Sequence, residues 1–241
     1  MFDPSTLPIK AGDLLLVTDR LAAPADFTIL NILTTHLRQV NHGKTVFASI
    51  SQTLSHWSSI SSRLNPSANL SAHISKNSLV FLDLLTNPPV VTLKSLYKTI
   101  KQQLESSDDK DGKTSNMVLL DGLSILGWLG LSLLEIRRFI RALRHLCLEN
   151  GASLIIRHHR TVEDVDDMLR TLLTQSSLHL EVLPLLSGKS GAISGEIALH
   201  STHLSSPREK LNALRNGVAV QYHLCDTGPM FFEKGTVAAV L

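Results

Sequence analysis

Two groups of residues in this chain have the type and placement to do chemistry. The first is Asp121. It ends a short apolar run, Met117–Leu120, and is followed by Gly122 and a long apolar stretch, Leu123–Leu134. A run of this kind reads as a strand buried on both faces of a sheet. An aspartate at the C-terminal tip of such a strand stands where open α/β sheets place ligand-handling groups, including those that hold magnesium against a nucleotide. It could equally cap the next turn. The second group is Arg157, His158, His159 and Arg160, directly after the apolar run Ser153–Ile156. Four basic-capable groups in a loop at a strand end could meet nucleic-acid phosphates, with histidine stacking on bases. The alternative is a solvated loop balanced by Glu163, Asp164, Asp166 and Asp167. A metal site at His158 and His159 is not expected, because adjacent residues at a strand end point to opposite sides.

The elements that must position these groups follow from periodicity. Asp13–Val17, Thr45–Ile50, Leu79–Leu84, Met117–Leu120 and Ser153–Ile156 read as strands. Between them, Ala25–Val40, Ser55–Leu64, Val91–Leu104 and Leu133–Glu149 carry apolar residues at helical spacing, and Val162–Leu173 reads as a further short helix. Asn150-Gly151 is a good helix stop. Glu105–Ser115 is charged, lacks apolar residues and reads as a mobile loop. After residue 177 the pattern changes: Leu178–Leu183, Glu196–Leu199, Val218–Leu224 and Met230–Glu233 are strands without long helices between them. Asp226–Pro229 is a turn that makes the last two a hairpin. Strand–helix repeated about five times, then an antiparallel tail, gives an α/β fold of RecA-like layout. It is a mostly parallel twisted sheet with helices on both faces and an antiparallel C-terminal extension. The expectation is one domain over residues 1–241, with a strand–helix core over 1–177 and a tail over 178–241.

An active site on that layout needs a phosphate loop after the first strand, with glycines for close backbone approach and a lysine for charge. The segment here is Thr18-Asp19-Arg20-Leu21-Ala22-Ala23-Pro24-Ala25-Asp26, which has no glycine, no lysine and two aspartates. Two Gly-Lys-Ser/Thr triplets elsewhere are decoys. Gly43-Lys44-Thr45 runs into a strand, and the motif's first glycine would fall on Arg38. Gly188-Lys189-Ser190 lies in the tail, and its first glycine would fall on Leu183. Past the second strand, where a water-activating glutamate is often found, the chain has Ser51-Gln52. Asp121 then reads as a vestige of a magnesium-holding position or as a structural cap, and no catalytic residue, cofactor or metal is expected.

Composition sets outer bounds. The chain has 241 residues, is 43% hydrophobic and carries a net charge of +2, enough for one full core and too little for polyanion binding by overall charge. Two cysteines, Cys147 and Cys225, make no disulfide framework and suggest a reducing compartment. The opening MFDPSTLPIK lacks the pattern of a secretory signal. The apolar span 117–134 is long enough to cross a bilayer, but it holds Asp121 and three glycines, so a strand–loop–helix and no membrane partner are expected. The arginines of Leu133–Glu149, off its apolar face, are a solvated exterior or a partner surface. Phe231, Phe232, Val240 and Leu241 belong to an apolar C-terminus that suits burial against a partner subunit.

With these residues in view, the chain resembles the Elongator subunit six family. The likeness is concentrated in Val46–Leu64, VFASISQTLSHWSSISSRL, and in Val220–Leu241, VQYHLCDTGPMFFEKGTVAAVL. The turn Asp121-Gly122-Leu123-Ser124 fits as well. The resemblance implies a RecA-like fold without Walker motifs. It also implies a hetero-hexameric ring with Elongator subunits four and five, docked on the catalytic Elongator subcomplex, which modifies wobble uridines of tRNA at carbon five. The ring is expected to bind tRNA, and the location to be cytoplasmic, with the nucleus as a second compartment. The readings set against it are an active RecA-like ATPase, for example in recombination, and a scaffold subunit without RNA contact.

Overall fold

In this computed structural model the structure describes residues 7, 9–39, 42–64, 69–86, 92–106, 115–161, 164–185, 188, 191–201, 219–225 and 228–234. The chain runs β1 (Leu14–Asp19), α1 (Asp26–Arg38), β2 (His42–Ser49), α2 (Leu54–Leu64), α3 (Leu70–Ser75), β3 (Leu79–Asp83), α4 (Leu93–Glu105) and β4 (Ser115–Asp121). It continues α5 (Leu123–Trp128), α6 (Leu133–Glu149), β5 (Ala152–His159), α7 (Asp167–Gln175), β6 (Leu178–Leu183), β7 (Gly195–Ser201), β8 (Val220–Cys225) and β9 (Gly228–Phe232). All nine strands form one sheet in the order β3-β2-β4-β5-β1-β6-β7-β8-β9. The pairs among β1 to β6 are parallel, and β6–β7, β7–β8 and β8–β9 are antiparallel. This is the RecA-like layout expected from the sequence.

Apolar side chains alternate between two cores. On one face Leu15, Val17, Phe47, Leu119 and Ile155 pack with α1 and with Trp57 of α2. On the other, Leu14, Leu16, Val118, Leu120, Leu154 and Ile156 pack with α4, α6 and α7. A buried leucine side chain contributes roughly 1.5–3 kcal/mol relative to exposure, so the central strands read as nearly unbroken apolar runs for a thermodynamic reason. The tail shares the first core: the Tyr222 ring of β8 lies 4.7 Å from that of Phe27 in α1. Helix starts are fixed by side-chain caps. Ser132 and Glu135 form a reciprocal capping box on α6, Thr92 caps α4, and Asp166 accepts from the Leu169 amide at 2.6 Å to start α7.

The structure revises several expectations. Leu178–Leu183 is parallel to β1 and belongs to the core, so the antiparallel part begins at Gly195. The helix expected over Val162–Leu173 starts at Asp167, where Asp166 provides the cap. The short helices α3 and α5 were not foreseen as separate elements. The charged loop falls mostly outside the described residues, as do Lys189 and Ser190 of the second decoy and the C-terminal Val240 and Leu241. Phe231 is 7% exposed and sits in the first core, so its expected place on a partner surface is corrected; Phe232 is half-buried.

Candidate functional site

The C-terminal tips of β1, β4 and β5 lie side by side and bring together Asp19, Asp121 and Arg157. Strand β5 runs on to His159, because Val17↔Arg157, Thr18↔His158 and Asp19↔His159 continue the parallel ladder with β1. The placement of Arg157, His158 and His159 in a loop after the strand is therefore corrected. Arg157 is 2% exposed and faces carboxylates rather than solvent.

The Arg157 guanidinium makes five contacts at hydrogen-bond distance. Nε and Nη2 donate to Asp19 Oδ2 at 3.1 and 2.7 Å. Nη1 donates to Asp121 Oδ1 at 3.2 Å and to Asp26 Oδ1 at 3.0 Å, and Nη2 reaches Asp26 Oδ2 at 3.4 Å. An arginine has five N–H donors, so none is left for a ligand. Burial works against the charge of Arg157, but Asp19, Asp121 and Asp26 outweigh it and raise its pKa further.

Asp19 is equally engaged. Its Oδ2 also accepts from the Ala25 amide at 2.8 Å, at the start of α1, and its Oδ1 lies 2.6 Å from His159 Nδ1. Burial pushes its carboxyl pKa up. The His159 hydrogen bond, the charges of Arg157 and His159 and the Ala25 amide together hold it below the usual range. Asp121 is held from the β2 side: its Oδ2 lies 2.9 Å from Ser49 Oγ and is bonded by Ser51. Ser49 Oγ in turn accepts from Trp57 Nε1 at 3.1 Å. Gly122 turns the chain out of β4 at φ 80°, and a Cβ there would stand 3.1 Å from Ser51.

A phosphate-binding tip offers unpaired amides at a helix N-terminus and spare positive charge. Here a carboxylate already takes the Ala25 amide, Asp26 occupies the first turn of α1, and three aspartates face one arginine. The tip thus presents three carboxylates to one guanidinium. Ser51, at the expected water-activating position, bonds to Asp121. Of the decoys, Lys44 lies within β2, and its ammonium donates to Asn77 O and Oδ1 at 2.8 and 2.7 Å.

The other residues singled out from the sequence are buried or paired. His158 is 2% exposed, with neither ring nitrogen hydrogen-bonded, and burial pushes its pKa down to about 4. Arg160 Nη1 donates to Glu181 Oε1 at 2.6 Å, and its amide donates to Asp19 O. Beside the cluster a cleft of about 620 Å³ is lined by Arg20, Leu21, Ala22, Ile125, Trp128, His159, Arg160 and Thr161. Among the described residues no group of three or more His, Cys, Asp and Glu could hold a metal ion, and no helix is long and apolar enough to cross a membrane.

The sequence had marked Asp19 and Asp26 only as hostile to phosphate; it had not joined them to Arg157. The available signal was charge balance, since aspartates at the tips of buried strands call for a cation nearby.

The sequence model of the family described as Elongation complex protein 6 matches residues 82–226. That span holds Asp121 and Arg157 and runs from β3 to the end of β8. No curated protein matches the chain.

Proposed function

The chain belongs to the Elongator subunit six family, and from that premise we propose that it is a non-catalytic ring subunit. The partners in this reading are Elongator subunits four and five, two copies of each of the three making a hetero-hexamer. The ring docks on the catalytic subcomplex and presents tRNA for carbon-five modification of wobble uridines, in the cytoplasm and also in the nucleus. Any nucleotide handling is shared at subunit boundaries or lies on the partners. The observation that carries the non-catalytic part is the saturated Arg157, whose five contacts to Asp19, Asp26 and Asp121 leave no guanidinium donor for a phosphate.

The test is co-expression with subunits four and five, with mass measured by light scattering and tRNA affinity by titration. The expected result is a single hexameric species that binds tRNA. A monodisperse monomer whose mass and thermal stability do not change when the partners are added overturns the ring.

A further inference from the structure

With Arg157 consumed by carboxylates and Arg160 held by Glu181, the tRNA reading needs another cationic surface. Helices α4 and α6 supply one. α4 leads from β3 to β4 and α6 from β4 to β5, so the two run in the same direction over one face of the sheet. Leu96, Ile100 and Leu104 of α4 and Ile136, Phe139, Ile140 and Leu143 of α6 share one core beneath them. What remains outside includes a set of cations. α4 exposes Lys94, Lys98 and Lys101, and α6 exposes Arg137, Arg138 and Arg141. On α4 the lysines recur every three or four residues, and on α6 Arg137 and Arg138 stand four and three residues before Arg141, about 4.5–6 Å along the axis; the axes of packed helices lie about 8–10 Å apart.

Among the described residues these charges are largely uncompensated. The three carboxylates described on the two helices stand at their ends, each already engaged. Glu105 pairs with Lys101 at 3.6 Å, Glu149 with His145 at 3.2 Å, and Glu135 is folded back into the capping box on Ser132. Among the described residues no carboxylate makes an ion pair with Lys94, Lys98, Arg137 or Arg141.

The composition also identifies the kind of partner. Protein interfaces are depleted of lysine and have an apolar core. Here the exposed face of α4 carries no large apolar residue, and the exposed Leu134 and Leu148 lie near the two ends of α6, not among its arginines. Two rows of solvent-facing cations with no exposed large apolar residue among them suit a sugar–phosphate backbone. We propose that the outer face of α4 and α6 is an RNA-backbone docking surface, the phosphate-contacting site of this subunit. The proposal rests on the tRNA reading given above.

The experiment is a salt titration of an unmodified tRNA transcript against the assembled ring. It compares wild type, Lys98→Gln with Arg137→Gln and Arg141→Gln, and a control of Arg63→Gln with Lys76→Gln outside α4 and α6. All of these are exposed positions, so folding is not at stake. The expected result is an affinity loss of about tenfold or more for the α4–α6 variant near physiological salt, with a salt slope flatter by about two units. The control should bind like wild type, and both variants should keep the wild-type mass. Wild-type affinity and slope in the α4–α6 variant sink the proposal and leave the tRNA reading standing. A wild-type ring that does not bind the transcript sinks both. An α4–α6 variant that loses a partner subunit overturns the proposal in favour of a protein interface.

Discussion

The strand-tip cluster and the α4–α6 face each concentrate arginine, and they use it in opposite ways. At the tips, one arginine is buried among three aspartates from β1, α1 and β4, and every donor is spent inside the chain. On α6, arginines stand in solvent with no facing carboxylate for Arg137 or Arg141 among the described residues. The same side chain is therefore structural in one place and available in the other. The difference follows from where the elements put it. A strand tip between two parallel neighbours excludes water, and a charge there survives only with partners. An outward helix face costs a charge almost nothing and leaves it free to meet an anion.

The largest expected effect breaks the comparison at its buried end. Arg157→Ala removes the cation and leaves Asp19 and Asp121 buried with unpaired charge. Removing one partner of a buried ion pair typically costs about 3–5 kcal/mol. Denaturant unfolding of the purified chain, or of the ring if the chain needs it, should show that loss. Arg141→Gln on α6 should shift stability by less than about 0.5 kcal/mol. Equal effects from the two substitutions would mean that the cluster is not a structural device.

Acid provides the next effect. His158 is buried and neutral, its pKa pushed down to about 4, whereas in the unfolded chain it titrates near 6.5. The groups around it are Asp166, His159, Asp19 and Arg160. A folded-state pKa below the unfolded value means that the unfolded chain takes up the proton first. Stability therefore falls as pH drops from about 6.5 to about 4. The depressed carboxyl of Asp19 acts in the same direction at lower pH. His158→Leu loses no hydrogen bond, because neither ring nitrogen makes one. It should remove roughly 2–3 kcal/mol of that acid-linked loss. Equilibrium unfolding at several pH values checks this, and an unchanged pH profile in His158→Leu contradicts it.

The fold was largely legible from the sequence and the site only in part, for one physical reason. Apolar runs report burial directly, so β1 to β6, the long helices and the final hairpin could be read from periodicity. Charged residues report burial only through partners that are distant in sequence. Arg157-His158-His159 reads as a loop after the strand because nothing local shows that Asp19, 138 residues away, is bonded to Arg157. The missing phosphate loop could be read from residue types alone; what fills its place could not. The late start of α7 is a smaller case of the same kind, since Asp166 reads as one acidic residue among several until its carboxylate is seen on the Leu169 amide.

The account's central claim is that the strand tips are closed to nucleotide. Its most direct test is titration of the purified chain with a fluorescent ATP analogue and magnesium, for wild type and for Asp121→Asn of matched folding. The account predicts no saturable binding up to millimolar analogue and no phosphate release from ATP by either protein. Saturable binding and steady turnover by wild type, both lost in Asp121→Asn, would contradict it.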